Sequence, residues 1–238
     1  MNVAEPSSGG DAIGSRLITV LTSPTETFRK VAAKPRWWVP LLFLMIAAVV
    51  LQVAVHHQTD YRQVMEDQMA KQSSASMTEQ QIETAAEIQE KFGAAFAFIG
   101  AIFAAIVMLI IGLLYWVILK LAGSEMTYPQ SLATHLYGAV PAVLGMLIAA
   151  PIVWFGGELT TEQITTRSFM SSSLAFLAPE GASSKLVALL ASVEFFTIWS
   201  VILTAIGFQV VAKVSKGAAW GAVLLLTALG IAVRVLFA

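Results

Sequence analysis

The chain has 238 residues, of which 57% are hydrophobic and only 12% charged, and its mean hydropathy is +0.76. One soluble core cannot hide that much apolar surface, so most of it must face lipid or another helix. A formal net charge of -1 excludes the basic footprint that nucleic-acid binding needs, and the absence of cysteine excludes disulfides, thiolate nucleophiles and cysteine-ligated metals.

Residues 1–11, with Pro6, Ser7, Ser8, Gly9 and Gly10, read as a flexible tail. No long apolar run precedes Trp37, so no cleaved leader is expected. Residues 12–36 are expected to form cytoplasmic amphipathic helices at the membrane interface. Ser23-Pro24-Thr25-Glu26 combines a capping serine, proline at the first helical position and glutamate at the third. The helix it opens should run to about Ala33 and stop before Pro35. Leu17, Val20 and Leu21 sit at helical spacing upstream, and Phe28, Val31 and Ala32 downstream. These apolar faces have two destinations, the inner-leaflet surface or the protein's own helix ends.

From residue 37 to 238 the gaps between charges predict a helical bundle of five membrane spans, at about 37–55, 92–119, 131–155, 186–212 and 217–237. Continuous apolar runs of this length do not fit strands. The second run would be about 42 Å long as a straight helix, so it must tilt or project beyond the bilayer. Pro40 suits a first helical turn, while Pro141 and Pro151 should kink the third span. Residues 56–91 form the expected external loop. Within it Tyr61, Met65 and Met69 suggest a short helix, Ser73, Ser74 and Ser76 a polar turn, and Thr78-Glu79-Gln80-Gln81 a capping box leading straight into the second span.

Orientation follows from the lysines and arginines. Arg16, Arg29, Lys30, Lys34 and Arg36 precede the first span, and Lys213 and Lys216 flank the connection after the fourth. The 36-residue external loop carries only Arg62, Lys71 and Lys91 against seven acids. This places the N-terminus in the cytoplasm, with Lys120 agreeing and Lys185 and Arg234 dissenting mildly.

The sharpest candidate for chemistry is Glu194, expected about nine residues into the fourth span, with Thr197, Ser200 and Thr204 following on one helix face. A charge at that depth costs roughly 2.5–3.5 kcal/mol on insertion scales. The seam reads either as a proton or cation site or as a buried carboxyl satisfied by neighbouring helices. His56 and His57, with Asp60 nearby, lie at the opposite end of the bundle from His135, so no shared metal site is expected. Gly93, Ala97, Ala101 and Ala105 repeat every four residues, and Gly217 with Gly221 opens the last span; both pairs of features read as helix interfaces. Trp37, Trp38, Trp116, Trp154 and Trp220 fall near predicted interfaces. No phosphate-binding, zinc-protease or serine-hydrolase motif occurs.

Three stretches resemble a known family when taken in order. They are Thr22 to Phe28 followed by Pro35-Arg36-Trp37-Trp38; Gly123 to Tyr128 with Leu132, Tyr137 and Pro141; and Phe196-Thr197-Ile198-Trp199 with Gly207 and Lys213-Val214-Ser215-Lys216. Together they resemble prokaryotic Yip-type domains, named for eukaryotic relatives that interact with Ypt/Rab GTPases. The likeness covers roughly residues 17–235. It implies five membrane helices and a non-enzymatic scaffold or adaptor role, in membrane organisation or trafficking, with no cofactor. It does not carry over a GTPase partner, because the Asp-Leu-Tyr-Gly-Pro motif of some eukaryotic members is absent; here His135 precedes Leu136-Tyr137-Gly138 and Ala139 follows. The expected partners are the lipid bilayer and either another membrane protein or a further copy of the chain. The competing reading is a small-solute or ion transporter built on the Glu194 seam.

Overall fold

A computed structural model describes residues 14–71, 78–166, 169–170, 172–179 and 181–237. Its helices are α1 (Ser15–Thr22), α2 (Pro24–Ala33), α3 (Trp38–His57), α4 (Tyr61–Lys71), α5 (Glu79–Leu121), α6 (Tyr128–Gly138), α7 (Val140–Gly156), α8 (Thr161–Thr166), α9 (Ser184–Ser192), α10 (Phe195–Val211) and α11 (Lys216–Leu236), with a 3-10 turn at Leu174–Leu177. No strand occurs among the described residues; their one extended pairing is an isolated antiparallel bridge between Ser173 and Glu194. The tail at 1–11 and the polar turn at Ser73, Ser74 and Ser76 lie outside the described residues.

Three helices are long and apolar enough to cross a membrane by length and composition: α3, the Ala95–Leu121 part of α5, and α11, with mean hydropathies of 2.5, 2.9 and 2.0. The pair α6 and α7 passes the same test together, bent by 41°. The bend falls at Ala139, two residues before Pro141, whereas Pro151 sits inside an uninterrupted α7. The third span also begins earlier than residue 131, because the Thr127 N–H donates to Gln130 Oε1 at 2.8 Å and opens α6 at Tyr128.

The apolar run at 186–212, expected as the fourth span, is not one helix. It is divided at Val193 and Glu194 into α9 and the 17-residue α10. The stretch 56–91, expected as an external loop, contains α4 and the start of α5, which is continuous for 43 residues, about 64 Å. Its predicted capping box is present, with Thr78 N–H donating to Gln81 Oε1 and Gln81 N–H to Thr78 Oγ1.

Ser23 differs from Thr78. It closes α1 through its N–H to Thr19 O and opens α2 through its carbonyl to Thr27 N–H, with ψ near 63°. Thr78 and Ser215 have ψ near 150° and cap through their hydroxyls. One residue joining two helices cannot adopt that extended geometry, so the Ser23 hydroxyl makes no cap bond.

Helices α1 and α2 pack on the protein's own helix ends. Val20, Phe28 and Val31 are fully buried against Tyr137, Leu203 and Val211. The Phe28 ring covers Gly207, where a Cβ would come within 2.7 Å of that ring and of Thr134 Cγ2. Arg16, one of the basic cluster that precedes the first apolar run, is buried; its guanidinium donates to Lys34 O at 2.7 Å and Lys30 O at 3.3 Å, at the C-terminus of α2. Gln130 Nε2 donates to Ala32 O at 2.7 Å. This end of the bundle, with α1 and α2, is called the α2 end below, and the other the α4 end.

Ala97, Ala101 and Ala105 are buried, and at Gly93 any Cβ would collide with the His56 ring, so this row is where α5 meets α3. The Gly217 and Gly221 row is not an interface within the chain. Both positions are exposed and open, and α11 packs instead through Ala219, Ala222 and Val223.

Arg16→Ala should lower stability by about 1 kcal/mol or more, because a buried side chain and its two hydrogen bonds to the end of α2 are lost, although Lys34 N–H and Arg36 N–H still bond the same carbonyls. The check is the melting temperature in mild detergent against Arg29→Ala, an exposed control; equal values would refute it. Gly207→Leu should cost about the same or more through overpacking against Phe28 and Thr134, seen as reduced accumulation and a lower melting temperature.

Candidate functional site

Helix α10 runs antiparallel to α6 and α7, and three contacts fix its register. Gly138 is pressed against Thr204, the Ala142 N–H donates to Ser200 Oγ at 3.1 Å, and Gly145 lies under the Phe196 ring. Extending that register brings Glu194 level with about Ile148. Helix α7 continues eight residues further to Gly156, about 12 Å. The break between α9 and α10 therefore lies level with the middle part of α7, and Glu194 stands at a helix end rather than mid-helix.

Lipid offers no hydrogen bonds, so a broken span must satisfy its freed backbone groups within the protein. Here the segment before Leu177 does so. Leu174 N–H donates to Val193 O at 3.0 Å and Phe195 N–H donates to Ser172 O at 3.1 Å, the two bonds flanking the Ser173–Glu194 bridge. Glu194 then caps α10, its Oε2 accepting from Thr197 N–H at 2.7 Å and from Thr197 Oγ1 at 3.0 Å. A carboxylate there also complements the positive end of the helix dipole. Its other oxygen, Oε1, is buried and has no partner.

The four predicted seam residues thus divide. Glu194 and Thr197 are bonded to each other as a cap. Ser200 serves a different purpose: in an unbroken helix Ala142 N–H would bond Gly138 O, and the bend at Ala139 frees it for the serine. Thr204 is buried and fills the crossing against Gly138. Ser172 and Ser173 were not anticipated; their signal is a serine run immediately before Leu174, which reads as loop without knowledge of what it pairs with.

The histidines occupy separate settings. His56 Nδ1 lies 2.9 Å from the Tyr61 hydroxyl, and burial raises that hydroxyl's pKa above its ordinary value. The His57 ring packs on Trp154 with centroids 4.4 Å apart, and Asp60 Oδ1 accepts from Gln63 N–H at the start of α4. His135 lies beside Tyr115, centroids 5.2 Å apart, with both ring nitrogens buried and unpartnered. Its neighbours Leu136 and Tyr137 are buried and Gly138 is a helix crossing, so the Leu136-Tyr137-Gly138 stretch is core in this chain.

Comparison with known proteins agrees with this architecture. The Yip1 domain model matches residues 18–237. Membrane protein YknW of Bacillus subtilis (strain 168) is 33% identical over 218 residues, which cover 91% of this chain and 87% of that protein. No solved structure matches. With a family model spanning nearly all of its helices and a full-length membrane-protein relative, the chain belongs to the Yip1 domain family.

Proposed function

We propose that this protein is a non-enzymatic membrane scaffold or adaptor of a bacterial inner (cytoplasmic) membrane, acting in membrane organisation or trafficking. Five crossings are assigned to α3, α5, α6 with α7, α9 with α10, and α11, and the N-terminus lies in the cytoplasm. The observation that carries the reading is the use of the polar seam: Thr197, Ser200, Thr204 and one Glu194 oxygen are spent on capping and on helix crossings. Two open grooves, of about 400 and 300 Å³, lie along Thr78 to Ile88 and between Thr160 and Val187. Neither is an enclosed chamber at the seam.

A transporter is the second reading, and one observation favours it. Discontinuous membrane helices commonly form substrate and ion sites, and the free Glu194 Oε1 lies at such a break. Glu194→Gln separates the two. An amide retains an acceptor for Thr197 N–H but cannot ionise. The expected outcome is normal accumulation and full rescue of a strain deleted for the protein. A variant that is abundant and correctly inserted but fails to rescue would replace the adaptor with the transporter. Glu194→Ala should instead destabilise by about 0.5–2 kcal/mol through loss of the cap.

The topology is tested by single cysteines, since the chain has none. Gln80→Cys and Glu158→Cys should react with an impermeant maleimide in intact spheroplasts, and Lys216→Cys only after lysis. Labelling of Lys216→Cys before lysis would reverse the orientation.

A further inference from the structure

Three lysines that flank the α5–α6 and α10–α11 connections are gathered on one rim of the α2 end by a single serine. Ser124 N–H donates to Leu119 O at 2.9 Å, and Ser124 Oγ donates to Ala212 O at 2.8 Å. Lys120 and Lys213 are the residues that follow those two carbonyls, and Lys216 opens α11 three residues after Lys213. All three are exposed, and so is Glu125, the acid nearest to them in sequence. None of these four side chains forms an ion pair among the described residues.

Lys213 also occupies an unusual backbone position. Its φ is 53°, and among the described residues no other non-glycine residue has a positive φ. It stands one residue past the Ala212 cap of α10, where glycine ends a helix without a Cβ penalty. A lysine held there forgoes that relief and places an ammonium at the rim.

Two tryptophans set the depth of the cluster. Trp116 lies four residues before Lys120 and Trp220 four residues after Lys216, so each shares a helix face with its lysine and stands about 6 Å further into the bundle. Both pack on the buried cluster that contains Leu119, Ala212 and Ala219. Near and beyond them the same helices expose Leu113, Leu114, Leu224 and Leu225. Tryptophan favours the membrane–water boundary, so the lysines fall at the depth of the lipid phosphates.

We propose that Lys120, Lys213 and Lys216 bind the phosphate of an anionic phospholipid headgroup in the leaflet at the α2 end. Three ammonium groups that the protein leaves unpaired, at phosphate depth and beside lipid-facing apolar helices, complement that group in both charge and position. A zwitterionic headgroup carries its own cation and gains less from them. The site adds a lipid ligand to the protein and holds for the adaptor and the transporter alike.

The test uses the full chain in mild detergent with dioleoylphosphatidylglycerol or dioleoylphosphatidylcholine added, and counts retained lipid by native mass spectrometry. The unaltered chain should retain the anionic lipid in clear preference, and Lys120→Gln, Lys213→Gln and Lys216→Gln should each weaken that retention about fivefold. Arg29→Gln makes the same charge change at another exposed site of the α2 end and should leave the retention intact. Lys213→Gly separates binding from folding, because glycine suits the left-handed backbone: it should melt no lower than the unaltered chain without lipid, yet lose the preference. Equal retention of the two lipids, a Lys213→Gly chain that keeps the preference, or an equal loss in Arg29→Gln would each overturn the site. Displacement of the lipid by millimolar inorganic phosphate would overturn the lipid assignment in favour of free phosphate.

Discussion

A backbone N–H or C=O left unpaired in hydrocarbon costs roughly several kcal/mol, and this bundle interrupts two of its apolar segments, at Ala139 and at Val193 with Glu194. The rest of the architecture depends on how those interruptions are repaired. The bend at Ala139 frees the Ala142 N–H, and Ser200 of α10 accepts it. The break at Val193 and Glu194 frees a carbonyl and an N–H, and the strap at Ser172 to Leu174 takes both. Because α10 mends α7 while the strap mends α10, these three elements must assemble together. The close crossing of Gly138 with Thr204 follows from the same docking, since Ser200 can reach Ala142 only when the two backbones nearly touch.

A parallel economy operates at the α2 end. Helix C-termini leave carbonyls unpaired, and α2 ends against the membrane domain rather than in open water. Arg16 takes Lys30 and Lys34, Gln130 takes Ala32, and the Tyr137 hydroxyl points at Arg36 O. Gln130 is doubly used, its oxygen opening α6 and its amide holding α2. The apolar stripe Val20, Phe28 and Val31 is thereby committed to the core and is withdrawn from the lipid surface.

The sequence makes some of this plain and hides the rest for physical reasons. Gaps between charges locate the apolar runs, because hydrophobicity is summed over a long window and tolerates local error. Thr78 and Gln81 announce the start of α5, and the alanine row announces its contact with α3, since both signals are local or periodic. The break at Glu194 is invisible to the same window. Phe195 onward is as apolar as any span, and only the extended backbone of Glu194, set by a strap twenty residues earlier, divides the helix. Arg16 counts only as one of the cations that set orientation, because such a count cannot tell that its guanidinium bonds carbonyls fourteen and eighteen residues away. Gly217 and Gly221 show the opposite error, a spacing that suggests contact where α11 turns its alanines inward instead.

Beside the interrupted pairs, α3, α5 and α11 run unbroken, and α5 is the longest of them at about 64 Å. A continuous helix is stiff along its axis, whereas the bent α6 with α7 and the divided α9 with α10 each contain a joint. The bundle therefore sets three continuous helices beside two jointed pairs, and α5 packs on both kinds, on the unbroken α3 and α11 and on the bent α6. A displacement of its projecting end would have to be carried along that one helix to Lys120, with no joint on the way.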